Sequence, residues 1–500
     1  MMNLMARTKR LTYLVHRWTG VVGCMLMALW FVSGIVMLFV GYPKLTPWER
    51  LAASPELSVT ECCVTLDTLP DDRFVGDAAV VLTVIADTPA YVLGNAGKGV
   101  LAYSARDGQR LGPVTPERAL AQAAVFLPNA TLRYDDAIDE DRWTHARSLD
   151  AHRPLHRISV DGPLPGTLYV SGVTGQVVLD APLSQQRWSY VGAWLHWLYM
   201  FKDGSVDPIW SWLVIGLSAL CTVSALSGCV VGVWRWRFNG RYKTGARTPY
   251  REPWMRWHHI AGLLFGGVIL AWIFSGLMSM NPLGIFSPKH IKPNLVAYYG
   301  GGSLPAGPLA QPSRVIQTLH QSGFLPVELH WRSLNAETYV LAYDRQAHTR
   351  LVRDDGQGGL AVSLSWPAAQ ALAAAAQLFS YPLIGNEVLR VDDAYYYRRH
   401  AEAMNGARQL GLPALRVDFA DPGRTRVYID LQTGAVVTSL DTSQRTGRWL
   451  FYFLHSWDTP GLLRTGPLRD LVIMVLSLGG LAVTLAGVRI GWRRVMRLYK

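Results

Sequence analysis

Four histidines recur at matching places in the chain, each at the end of a long apolar segment. His16 in LVHRWTG and His258 in RWHHIAG open such segments, while His196 in AWLHWLYM and His455 in YFLHSWDT lie just ahead of others. An ionisable ring beside lipid is costly, so it marks a functional site by default. Neutral imidazoles on facing helices are a standard way to hold haem iron inside a bundle. The expected chemistry is therefore one-electron transfer through two haems. The five cysteines form no CxxC or CxxCH, so any such haem is held without covalent attachment. Zinc or copper is a weaker alternative, because those sites usually recruit Cys or carboxylate as well. The acids closest in sequence, Asp203, Asp207 and Asp458, follow the histidines rather than flank them. The competing reading makes all four histidines amphipathic anchors at a membrane interface.

The elements that must position these rings are legible from hydropathy. Half of the 500 residues are hydrophobic and 17% are charged, which excludes a disordered chain. Four stretches reach the roughly 20 apolar residues a bilayer demands. They run about 15–40, 209–234, 260–280 and 468–490. The net charge of +12 does not indicate nucleic acid, because the basic residues cluster beside these spans. Arg7, Lys9 and Arg10 precede the first, Arg235 to Arg256 fill the second connection, and Arg493, Arg494, Arg497 and Lys500 follow the last. The positive-inside rule puts these three regions in the cytoplasm and both long connections in the periplasm. The first apolar run is too long for a cleaved signal and lacks a small-x-small site, so it reads as an anchor.

The chain repeats itself. GTLYVSGVTGQVV from Gly166 and TRVYIDLQTGAVV from Thr425 match, and His196 and His455 keep the same separation of 259 positions (455 − 196). His16 and His258 are 242 apart (258 − 16), as are Ser33 and Ser275. Each half reads as a helix in, a periplasmic segment, a short helix and a helix out. Shared depth then pairs His16 with His258 and His196 with His455, since any cross pair would bridge much of a core about 30 Å thick. Glycines after the inner pair (Gly20, Gly23, Gly262, Gly266 and Gly267) leave room for a flat macrocycle or for close helix packing. His259 points about 100° away from His258 on a helix and reads as a polar neighbour or a contact to a cofactor carboxylate.

In the outer segments, Val80–Ile85 and Thr338–Tyr343 predict strands, and Pro116–Phe126 and Pro367–Phe379 predict helices. Thr-Gly turns within the repeated hairpins complete small α+β modules. His145, His152 and His156 read as a polar strand edge rather than a metal site, and His400 as part of a Tyr- and Arg-rich surface. Gly300–Gly302 lacks the context of a nucleotide site and reads as a loop. Cys62 and Cys63 are neighbours, while Cys24, Cys221 and Cys229 fall inside apolar segments.

HRWTG with WFVSG, HHIAG with WIFSG, LHW ahead of a helix ending in LSG, and the paired hairpins resemble PepSY-associated transmembrane proteins over nearly the whole chain. The resemblance implies an iron-regulated inner-membrane protein similar to ferrisiderophore reductases. It implies two haem b groups ligated by His16, His196, His258 and His455. The expected fold is an α+β membrane protein, a four-helix transmembrane bundle from an internal duplication with two periplasmic PepSY-like domains. Its expected segments are the N-terminus and first span (1–41), first periplasmic domain (42–187), interfacial helix and second span (188–236), basic cytoplasmic loop (237–257), third span (258–280), second periplasmic domain (281–446), and interfacial helix with fourth span (447–500). The expected partners are the lipid bilayer, a quinol or cytoplasmic reductase as electron donor, and a periplasmic ferric chelate, with no nucleic acid. Two rivals stay open: a non-enzymatic PepSY protein that binds peptides or regulates a protease, and a permease for iron or its chelate.

Overall fold

A computed structural model describes residues 2–60, 62–69, 79–95, 99–204, 207–300, 307–403, 406 and 408–497. Gly301, Gly302 and Lys500, singled out in the sequence, lie outside these described residues. The chain divides into two compact units, a helical one (1–42, 187–287, 443–500) and a sheet one (43–186, 288–442).

The helical unit is built on four long apolar helices: α1 (Met2–Met37), α2 (Pro208–Arg235), α3 (Pro253–Ser279) and α4 (Pro467–Met496). All four are long and apolar enough to cross a membrane. Proline begins three of them, where a missing N–H costs nothing. Asp207 caps α2 by accepting from Trp210 N, and Glu252 caps α3 by accepting from Met255 N. Glu252 also pairs with Arg493 of α4 at 2.7 Å. Each of α1 and α3 packs against both α2 and α4, so α1 and α3 face one another across the bundle. The core between them is formed by residues such as Cys24, Met27, Phe31, Cys221, Ile269, Trp272 and Ile473.

Two short irregular turns lie against this bundle. A π-helical turn at Tyr190–Trp194 precedes His196, and another at Arg448–Phe453 precedes His455. Each segment then breaks at a left-handed residue, Leu198 (φ 55°) and Trp457 (φ 49°), at the same repeat position. Neither is glycine, so each conformation is held against a steric cost by its surroundings.

The sheet unit contains three antiparallel sheets. Thr131–Ile138, Leu155–Asp161, Gly166–Ser171 and Val177–Pro182 form one; Leu383–Leu389, Ala414–Phe419, Arg426–Asp430 and Val436–Leu440 form a second with the same sequential strand order. Gly175 (φ 82°) and Gly434 (φ 69°) make the left-handed turns of the matching hairpins. Helix Pro116–Phe126 has its predicted bounds, whereas its counterpart is shortened to Ala368–Ala375, with Pro367 as the N-cap.

The third sheet has seven strands and draws on both halves of the chain. Ala79–Ile85 pairs with Glu328–Leu334 through Val80 with Trp331, Val81 with His330 and Leu82 with Leu329. The two outer segments read as separate modules in the sequence thus share one sheet. The physical reason is edge pairing: each three- or four-stranded piece would otherwise present an unpaired strand.

Candidate functional site: two histidine pairs

The histidines paired by depth in the sequence face each other. The rings of His16 (α1) and His258 (α3) stand 6.2 Å apart, centre to centre, inclined by 28°. The rings of His196 and His455 stand 6.0 Å apart at 72°. Ser33 lies 17 residues beyond His16 on α1, and Ser275 the same distance beyond His258 on α3. Because these serines touch His196 and His455, the two pairs are separated along the bundle by about 25 Å at 1.5 Å per residue.

Each ring is fixed through Nδ1. His16 Nδ1–H donates to Ser224 O at 3.1 Å, and His258 Nδ1–H donates to Val483 O at 3.0 Å. Both acceptors sit in helices that carry small side chains beside the ring. At the other pair, His196 Nδ1 lies 3.0 Å from Ser33 Oγ and His455 Nδ1 lies 3.1 Å from Ser275 Oγ. Ser33 donates its own proton to Leu29 O, and Ser275 to Trp272 O, so each hydroxyl accepts from the imidazole. All four rings therefore carry their proton on Nδ1, which leaves Nε2 as the nitrogen with an available lone pair.

Glycine lies against every ring. A methyl at Gly228 would come 2.7 Å from His16 Cε1, and one at Gly487 would come 3.5 Å from His258 Cε1. At Gly34 and Gly276 it would lie 3.8 and 3.6 Å from the Cε1 atoms of His196 and His455. A cavity of about 1200 Å³ surrounds the His16–His258 pair. Gly20, Gly262 and Gly266 help to line it, and Lys9, Arg10, Arg17, Arg235, Arg493 and Arg494 stand at its polar end.

His259 is engaged otherwise. Its Nε2–H donates to Gly232 O at 2.9 Å, its Nδ1 accepts from Thr248 Oγ at 2.7 Å, and its ring meets Trp236 and Tyr250 edge-on. With both nitrogens used, His259 pins the basic connection between α2 and α3 while lining the same cavity.

The other singled-out residues do not join these pairs. His145 pairs with Glu140, His152 with Ser171 and His156 with Tyr134. His400 Nδ1 accepts from Glu402 N. Asp207 serves as a helix cap, and Asp458 binds Arg448 at 2.8 Å. Among the described residues, no three or more His, Cys, Asp or Glu side chains gather as a metal site. The serines and glycines that tune the rings were visible only as repeat matches, because hydropathy does not distinguish a packing serine from a hydrogen-bond partner.

The sheet unit holds a separate buried polar row. On one face of Glu328–Leu334, Glu328 pairs with Arg50 and with His330 Nε2. Burial drives His330 well below its ordinary range, with Arg332 and Arg50 adding to the effect. Elsewhere, burial pushes Asp180 up to about 7, reinforced by Glu49 and Glu402.

The profile of the PepSY-associated TM region matches residues 13–494. The chain belongs to this family. Comparison with individually curated proteins gives no match. The family match takes in the second and third long helices whole, most of the first and fourth, and all four histidines of this PepSY-associated protein.

Proposed function

We propose that this protein is a di-haem b electron carrier of the bacterial inner membrane that reduces a ferric complex, such as a ferric siderophore, in the periplasm. The single observation that carries this reading is the spacing of the two histidine pairs. A metal–imidazole bond of about 2 Å on each side, plus about 1.1 Å from each nitrogen to its ring centre, requires centres about 6 Å apart. The two pairs stand at 6.2 and 6.0 Å. Two protein ligands with no third suit a porphyrin, which supplies the remaining four, better than a tetrahedral zinc ion.

When bound, haem supplies reversible one-electron chemistry. The residues of the chain bind, orient and insulate. The Nδ1 hydrogen bonds hold each imidazole plane and raise the basicity of Nε2. Glycines at 34, 228, 276 and 487 keep the space beside each ring clear. The basic end of the large cavity neutralises acidic substituents. On this reading, the basic ends of the helices face the cytoplasm and the sheet unit is periplasmic, so a haem held by His16 and His258 would take electrons in and one held by His196 and His455 would hand them out. Iron leaves an oxygen-rich chelator on reduction because Fe(II) is held by hard oxygen ligands far less tightly than Fe(III). Neither unit carries a flavin or nicotinamide fingerprint in the sequence, so a quinol or cytoplasmic reductase is the donor in this scheme.

The test is spectroscopic. Protein purified from haem-replete cells should give a reduced-minus-oxidised spectrum of bis-imidazole haem b with two haems per chain. His455→Ala should remove about half of that signal, as one of two equivalent sites is lost. A colourless preparation would overturn the proposal and favour a non-redox PepSY function.

A further inference from the structure

Cys62 and Cys63 are joined to each other by a disulfide in the sheet unit. A cross-link stabilises a fold mainly by closing a loop in the unfolded chain, and the effect grows with the length of that loop. A bond between neighbours closes almost none. The irregular segment that follows is already docked without it: Val64 N–H donates to Ala105 O at 2.7 Å, and the buried Tyr91 hydroxyl donates to Val64 O at 2.6 Å. The pair is therefore poorly explained as a staple. It packs against the hydrophobic core of the seven-stranded sheet on one side and is open on the other. Both cysteines are half-buried and line an open recess of about 470 Å³ with Thr60, Val64 and the exposed Arg106. The remaining cysteines, Cys24, Cys221 and Cys229, lie in the long helices and carry free thiols.

We propose that Cys62–Cys63 is a two-electron thiol–disulfide exchange site whose reaction partner is a dithiol. A thiolate of the partner attacks one Sγ, the Cys62–Cys63 bond breaks, and the other sulfur leaves as a thiolate beside Arg106. The partner's second thiolate then attacks the mixed disulfide. The partner ends as a disulfide, and Cys62 and Cys63 end as two thiols once the partner's two protons have been taken up. Accessible disulfides with little structural role are the ones that exchange. A neighbouring guanidinium favours the departing thiolate. This site is independent of the histidine pairs and of any haem.

The test uses the full-length protein in detergent. Samples are equilibrated in buffers of reduced and oxidised dithiothreitol, quenched in acid, alkylated with N-ethylmaleimide and read by mass spectrometry of the peptide containing residues 62 and 63. The expected result is a single two-electron transition in which both cysteines become labelled together while the protein stays folded. Arg106→Ala should slow the reduction several-fold, and Arg106→Lys should restore most of the rate. Failure of the folded protein to react at a dithiol concentration that reduces the same bond after unfolding would overturn the proposal. So would complete labelling of both cysteines in protein never exposed to a reductant.

Discussion

The two halves of the helical bundle place their outer histidines alike and hold the turns that follow them with different chemistry. After His196, the Trp30 indole donates to the His196 carbonyl at 2.9 Å, and the Trp210 indole donates to Trp197 O at 2.8 Å. After His455, the position matching Trp210 is Arg469 (469 − 210 = 259), which donates to Ser456 O and to Trp457 O. Ser189 in the first half corresponds to Arg448 in the second, and Tyr199 corresponds to Asp458. Arg448 and Asp458 form an ion pair with 7% and 0% of their side chains exposed. The geometry of the ring pair thus constrains the backbone more tightly than the side chains. A left-handed residue two positions after each histidine can be held by neutral indoles or by guanidinium groups.

The largest effect should come from breaking that charged brace. Removing one member of a buried ion pair leaves the other uncompensated and costs about 3–5 kcal/mol. Asp458→Ala should lower the unfolding midpoint of the detergent-solubilised protein sharply. Tyr199→Phe at the equivalent place, which removes one hydroxyl, should cost no more than about 1 kcal/mol. Equal losses in the two variants would erase the contrast between the halves.

The repeat is also asymmetric in the sheet unit. Asp180 occupies the position of Ser439 (439 − 180 = 259) in the last strand of the matching hairpins. Its carboxyl is raised to about 7 by burial, with Glu49 and Glu402 adding to the shift. The folded state therefore binds a proton that the unfolded chain releases near pH 4. Stability contributed by the protonated form is complete below about pH 4 and is lost as pH rises through about 7. Asp180→Asn should flatten this fall, by roughly 2 kcal/mol between those limits after allowance for residual solvent contact. A pH titration of thermal stability checks it, with Ser439→Ala as the control that should leave the slope unchanged.

Much of this arrangement was legible in the sequence because the signals were long or repeated. Four apolar runs of more than 20 residues have few alternatives to helix, and the spacings of 242 and 259 tie His16 to His258 and His196 to His455 in the sequence itself. Helix Pro116–Phe126 was legible because Pro116 opens an Ala-rich run. Strand pairing between Ala79–Ile85 and Glu328–Leu334 was not legible, since residues nearly 250 apart carry no local mark of partnership. Nor was the role of His259. Its neighbour His258 has the same residue type, and only the fold of the connecting loop brings Thr248 and Gly232 to its two nitrogens. The brace around His455 was hidden for a related reason: Arg448 and Arg469 carry no mark of a role in the sequence, and Asp458 reads there as an acid for a zinc or copper site, until the left-handed turn at Trp457 brings them together.

The smallest effect separates the halves by sign. Trp30 and Trp272 are repeat partners (272 − 30 = 242), yet only Trp30 has an acceptor for its indole. The Nε1–H of Trp272 is buried against Phe31 and Trp457 and meets no acceptor among the described residues. Trp30→Phe removes a net hydrogen bond and leaves the His196 carbonyl short of a donor, at a cost of about 1 kcal/mol beyond the lost ring area. Trp272→Phe loses a similar ring area but releases a buried donor that was unpaid on folding, which offsets part of the loss. The Trp30 variant should therefore unfold at the lower temperature of the two, and it alone should shift the spectroscopic signature of the His196–His455 pair. Trp272 as the more costly site would mean that ring packing, rather than the indole hydrogen bond, holds the turn after each histidine.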